Sequence, residues 1–263
     1  MIDYEFRILS GAVEKIIKKK IKSEKKMLKS VPSFLFTKDY LHNINKKYLN
    51  HAKRLTTLII RGLPINNKKL YFEQELSIEN YIYDLQKISP HLNFKKIIQI
   101  PNPKKIKFKE FKKFLDKNSK NYFGFELIGT WYNLSFLDKS YFPYFDYFNS
   151  NHSIVSLDLD YFFRTNIYTV HNFLNLLKKY SNIKFLLPHF GCGIFLHWDR
   201  VQDLTDKPPK LLSSSPKSFY WLEILKMKKF KKIPVVFSSD HPLNGNQSIQ
   251  MYDKFINYLS YKN

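Results

Sequence analysis

The hydrophobic positions of this chain change period as it runs. Short β-branched or aromatic runs alternate with longer segments whose apolar residues recur every three or four positions. The first pattern predicts buried strands, and the second predicts helices packed on them by one face. Strands are expected at Met1 to Arg7, Thr57 to Ile60, Lys95 to Ile100, Phe123 to Ile128, Ile154 to Asp158, Lys184 to Leu187, Lys210 to Ser213 and Pro234 to Ser238. Val13, Ile16, Ile17, Ile21, Met27 and Leu28 fall at helical spacing after the first strand, with lysines on the other face. Further helices are expected at Ile78 to Ile88 (closed by Pro90), Phe108 to Leu115, Tyr141 to Ser150, Thr169 to Tyr180, Phe195 to Leu204, Lys217 to Lys228 and Gln247 to Tyr261. Regular alternation of strand and helix is the mark of a parallel α/β architecture. Eight strand–helix units with no linker predict one domain over residues 1–263, a (β/α)8 TIM barrel, a fold that takes roughly 250 residues.

Composition agrees with a packed globule. Hydrophobic residues make up 44% of the 263 residues and aromatics 17%, too much apolar surface for a disordered chain. No run reaches the roughly 18 apolar residues of a membrane span. The N-terminus has no apolar signal core, and the one cysteine, Cys192, cannot form an internal disulfide. These features point to a cytoplasmic protein without a membrane span. The formal charge of +22 invites a polyanionic partner. The lysines, however, are spread along the whole chain on predicted outer helix faces, which reads as a solvated basic surface rather than a nucleic-acid site.

An α/β barrel carries its chemistry at the C-terminal ends of its strands. The polar residues at those predicted ends are Glu5 and Arg7, Glu126, Asp158 and Asp160, His189, Ser213 to Ser215, and Asp240 with His241. Alternation along a strand puts Glu5 with Arg7, and Asp158 with Asp160, on one face. Carboxylates, an imidazole and a guanidinium gathered at one mouth suit a divalent cation with oxygen ligands or an anionic substrate held by arginine. Simpler readings stand beside these: Glu5 and Arg7 as a buried ion pair, Asp240 and His189 as caps, Asp158 and Asp160 as solvated loop carboxylates. His42, His51, His91, His152, His171 and His197 lie off the predicted strand ends and read as surface or packing residues.

The segment FLLPHFGCGIFLHWDRVQDL (185–204) and the segment VVFSSDHPL (235–243) resemble the sixth and last strands of the amidohydrolase-related metal-dependent hydrolases, in the branch of aminocarboxymuconate-semialdehyde and ortho-hydroxybenzoate decarboxylases. KKIIQIPNPK, NYFGFELIG and FLDKSYFPYFDYFNSNHSIVSLD are similar to that family's third, fourth and fifth strand regions, in the same order. The resemblance implies that Asp240 is the family's Asp, a metal ligand and proton-handling group, and that His189 is its sixth-strand His. It places Glu5 at the first His of a His-x-His pair, where some decarboxylases carry Glu. Arg7 falls at the second His, and arginine cannot ligate a cation. Asp158 falls at the fifth-strand His, with Ser156 or Asp160 as alternatives, and Cys192 stands where the decarboxylases often have Glu. The metal-site motifs are therefore altered.

Three functions are compatible with this pattern. The first is a hydrolase or decarboxylase acting on a small carboxylate-bearing substrate. There Glu5, Asp158 and Asp240 hold a divalent metal, His189 shuttles a proton, and Arg7, His241 and Glu126 contact substrate. Such an oxygen set favours Mn or Mg over Zn, whose sites lean on His and Cys. The second is a metal-free protein that binds a ligand or protein partner, with Arg7 in the cation's place. The third is a metal-free enzyme using His189 and Asp240 as an acid–base pair. The sequence leaves open whether the chain forms a homo-oligomer.

Overall fold

The computed structural model describes residues 1–7, 38–118, 122–132, 134–157, 167–187, 211–214, 235–239 and 247–262; within these, the side chains of 4–7, 38–41, 130–131, 167–171, 211–214, 235 and 261–262 lie outside the description. Eight strands are present among the described residues: β1 (Ile2–Arg7), β2 (Thr57–Arg61), β3 (Asn93–Gln99), β4 (Tyr122–Leu127), β5 (Ile154–Leu157), β6 (Lys184–Leu187), β7 (Leu211–Ser214) and β8 (Val235–Val236). Their order in the sheet is their order in the chain, and the strand pairs with described register are parallel. The described helices are α1 (Lys38–His51), α2 (Lys68–Ile88), α3 (Phe108–Asn118), α4 (Phe142–Ser150), α5 (Ile167–Lys179) and α6 (Gln247–Lys262). This is the parallel α/β architecture expected from the alternating pattern. No helix among the described residues is long and apolar enough to cross a membrane.

The differences from expectation have local causes. β2 runs one residue further than its apolar run, to the charged Arg61. The last strand stops at Val236, not Ser238, and the amide of Ser239 bonds to the side chain of Asp3. α2 begins ten residues before Ile78, capped by Asn67, whose side chain accepts the Leu70 amide at 3.1 Å. Its buried stripe includes Gln74 and Glu75, so apolar spacing alone misses the first turns. α1 was not expected, because its buried face mixes Ile44, Tyr48 and Leu49 with the polar Asn45. The expected helices at 13–28, 195–204 and 217–228, and Asp158 at the end of the fifth strand, lie outside the described residues.

By packing, the chain divides into two compact units, one of residues 1–97 with 237–263 and one of residues 98–236. In the first, the apolar run Leu58, Ile59 and Ile60 is buried, as are Ile78, Leu85, Phe237 and Phe255. α1 meets α6 through His51, 2.7 Å from Asp253. The Arg54 amide after α1 donates to the Tyr252 hydroxyl at 2.9 Å. The exit of β2 is held by Gln74, whose amide accepts from the Leu63 N–H at 3.0 Å and donates to the Leu63 carbonyl at 2.8 Å.

The core of the second unit is aromatic. Phe125 stacks on Phe148 with ring centroids 4.0 Å apart, and Phe111 packs edge-on against Phe125 and tilted against Tyr144. α3 turns Phe111 and Leu115 inward and leaves Lys109, Lys112, Lys113 and Lys117 exposed, the division its spacing predicts. The backbones of β4 and β5 approach so closely at Gly124 that an added Cβ would lie 2.5 Å from the Ile154 carbonyl oxygen, which accounts for glycine in a strand interior.

Candidate active site

Polar residues with no solvent exposure concentrate on the strands, although hydrophobic burial alone would place apolar side chains there. In the first unit the carboxylate of Asp3 on β1 is fully buried. One oxygen accepts the Ser239 amide at 3.0 Å. The other accepts the Ser239 hydroxyl at 2.6 Å and the Tyr48 hydroxyl of α1 at 2.8 Å. Burial pushes the Tyr48 phenol well above its ordinary range, and the nearby charge of Asp3 adds to the shift.

Two residues beyond Asp3 along β1 comes Glu5, and two further Arg7. Their backbones belong to the strand. The register of β1 on β2 shifts between Asp3 and Phe6, and Arg7 then lies opposite Arg61. Arg61 ends β2 and is the largest fully buried side chain among the described residues. This strand end therefore places a guanidinium out of contact with water. Lys96 of β3, also buried, pairs with Glu79 of α2.

In the second unit Gln99 ends β3 and Glu126 lies in β4, both fully buried. The Gln99 amide nitrogen donates to the Glu126 carboxylate, and the Ile100 N–H donates to the Glu126 carbonyl at 2.7 Å. Glu126 lies opposite Ser156 of β5, which is also fully buried. Ser213 and Ser214 belong to β7.

Of the residues expected to carry chemistry, Glu126 is placed as a buried strand carboxylate, and Glu5 and Arg7 are placed by their backbones. Asp158, Asp160, His189, Cys192, Ser215, Asp240 and His241 lie outside the described residues. His42, His51, His91 and His152 are exposed, in line with the surface role expected of them. Sequence reasoning missed Asp3, Tyr48, Arg61, Gln99 and Ser239. Asp3 was legible, standing two positions before Glu5 in the same strand. Arg61 follows directly on the run Leu58 to Ile60, and Gln99 sits between Ile98 and Ile100, so each marked its strand had the end been extended by one residue or its polar position weighed.

Among the described residues no group of three His, Cys, Asp or Glu side chains is placed to hold a metal ion. The expected ligand set of Glu5, Asp158 and Asp240 offers oxygen donors alone, a chemistry that fits Mn or Mg.

No protein-family model matches the sequence, and a search of curated proteins finds no match. Solved structures do match. Amidohydrolase 2 from Bifidobacterium longum subsp. infantis aligns at a TM-score of 0.59 and 12% identity, over 99% of this chain and 92% of its own. The 5-carboxyvanillate decarboxylase of Novosphingobium aromaticivorans, complexed with manganese and 4-hydroxy-3-methoxy-5-nitrobenzoic acid, aligns at 0.61 and 10% identity, over 99% and 95%. An uncharacterised TIM-barrel protein from Bordetella bronchiseptica aligns at 0.58 and 11% identity, over 98% and 90%. The parallel α/β fold of this chain is thus one that it shares with amidohydrolase-2 structures, decarboxylases among them.

Proposed function

We propose that the sheet closes into a single (β/α)8 barrel over residues 1–263, and that the protein is an amidohydrolase-like hydrolase or decarboxylase of small carboxylate-bearing substrates. The observation that carries the reading is the likeness of nearly the whole chain to amidohydrolase-2 structures, one of them a decarboxylase with bound manganese and a substituted benzoic acid. Closure is supported by Asp3, which bonds to a residue 236 positions away in the sequence, just past the last strand.

In this reading Glu5, Asp158 and Asp240 hold a divalent ion, Mn or Mg before Zn. When bound, such an ion polarises a substrate oxygen or activates a water. His189 moves a proton to or from the reacting group. Arg7 binds the substrate carboxylate by a bidentate pair, and Glu126 and His241 orient the rest of the molecule.

A second reading is a metal-free protein that binds a ligand or partner, in which Arg7 stands in the cation's place. The observation favouring it is the fully buried Arg61, opposite Arg7 in the β1–β2 register.

Metal stoichiometry of the parent, Arg7→Ala and Arg7→His proteins, prepared identically, separates the two. The enzyme reading expects metal in the parent, retained in Arg7→Ala with weaker binding of a carboxylate ligand. A parent without metal, and one ion gained in Arg7→His, overturns it in favour of the second.

A further inference from the structure

We infer that Asp3 is a positioning residue that sets the chain at Asp240 against the β1 end carrying Glu5. The inference rests on the proposed roles of those two residues. The Asp3 carboxylate receives two bonds from one residue, the amide of Ser239 on one oxygen at 3.0 Å and its hydroxyl on the other at 2.6 Å. A backbone donor and a side-chain donor held by the two oxygens of one carboxylate fix both the peptide orientation and the rotamer of Ser239. Asp240 is the next residue, joined through a planar peptide that sets its Cα about 3.8 Å from that of Ser239.

On the other side, Glu5 is two residues along β1 from Asp3. Tyr48 completes the arrangement: its hydroxyl donates to the second oxygen at 2.8 Å and fastens the carboxylate to α1. Asp3, Tyr48 and Ser239 are all without solvent exposure. Water therefore does not compete for these bonds, and the geometry they impose is stiff. A carboxylate buried for stability alone is a poor choice, because its desolvation offsets most of what its bonds return. Fixing Ser239, one residue before Asp240, against β1 is a use that its geometry serves directly.

The test compares Asp3→Asn, Ser239→Ala and Tyr48→Phe with the parent. Two quantities are read: amide hydrogen exchange at Ser239 and Asp240 relative to Ile59 and Ile60, and affinity for Mn2+ alone. In Asp3→Asn, exchange at Ser239 and Asp240 is expected to rise at least about 10-fold above any change at the β2 amides. Mn2+ affinity is expected to fall about 10- to 100-fold, as when a group orienting a ligand is lost. Tyr48→Phe keeps both bonds between Asp3 and Ser239 and removes the tie to α1, so it is expected to lower Mn2+ affinity less than Asp3→Asn does.

Exchange that rises equally at Ile59 and Ile60 marks a merely structural role and overturns the inference. So does local exchange without loss of Mn2+ affinity in a parent that binds the ion. A parent that takes up no Mn2+ removes the metal reading and leaves the exchange comparison to decide. If Asp3→Asn does not fold, Ser239→Ala, which keeps the amide bond and loses the hydroxyl, carries the same test.

Discussion

Replacing Gln99 with Leu deprives the Glu126 carboxylate of one donor where no solvent reaches either residue. A hydrogen bond to a charged group contributes about 1.5–3 kcal/mol, and the loss is felt in full when the partner stays buried. For a chain of this size each kcal/mol moves the melting temperature by about 2–4 °C, so Gln99→Leu should lower it by about 3–12 °C. Glu126→Leu should lower it as well, since it leaves the Gln99 amide without that acceptor. The double variant Gln99→Leu/Glu126→Leu removes both polar groups and should be more stable than the two single losses added together, with a coupling above about 1 kcal/mol. Urea denaturation of the four proteins measures this cycle. Glu126→Gln keeps size and an oxygen that can accept from Gln99, so it should cost less than Gln99→Leu while weakening substrate binding in the enzyme reading. Additive single effects within about 0.5 kcal/mol would refute the coupling and show that the Gln99–Glu126 bond carries no energy.

Two further outcomes are expected. The Tyr48 phenol is pushed up by burial and by Asp3, and Tyr122 is pushed up to about 12, first by burial. Both ionise at about pH 10 in the unfolded chain, so the stability they contribute is fully present below that pH and is lost as pH rises through the folded values. Melts across this alkaline range, paired with ultraviolet titration of the phenols, should show a falling melting temperature from about pH 10; a flat profile to pH 12 would count against it. Phe125→Ala should cost about 3–5 kcal/mol by chemical denaturation, because the ring is fully buried and stacked on Phe148; a loss below about 1 kcal/mol would mean the aromatic core refills the space.

The class of fold was legible in the sequence because burial on both faces leaves an unbroken apolar run. Lys184 to Leu187 is a strand at the expected bounds, and Ile154 and Tyr122 begin their strands within a residue of expectation. Turning α3 outward needed only the spacing of Phe111 and Leu115 among lysines. Glu126 was legible too, as a lone acid in the run FGFELI. α1 and the first turns of α2 were not, because their buried faces carry Asn45, Gln74 and Glu75, and a polar residue reads as exposed until its partner is known. The bond between Asp3 and Ser239 is the same case at the longest range. Nothing in either local sequence marks a bond between residues 236 apart. Only the tertiary structure brings an amide, a serine hydroxyl and a tyrosine hydroxyl onto one carboxylate, and only then does burying that charge become affordable. Local pattern determines where the chain prefers strand or helix, since that preference is set by neighbours three or four residues away. The satisfaction of buried polar groups is decided by whichever distant segments the fold brings within hydrogen-bonding distance.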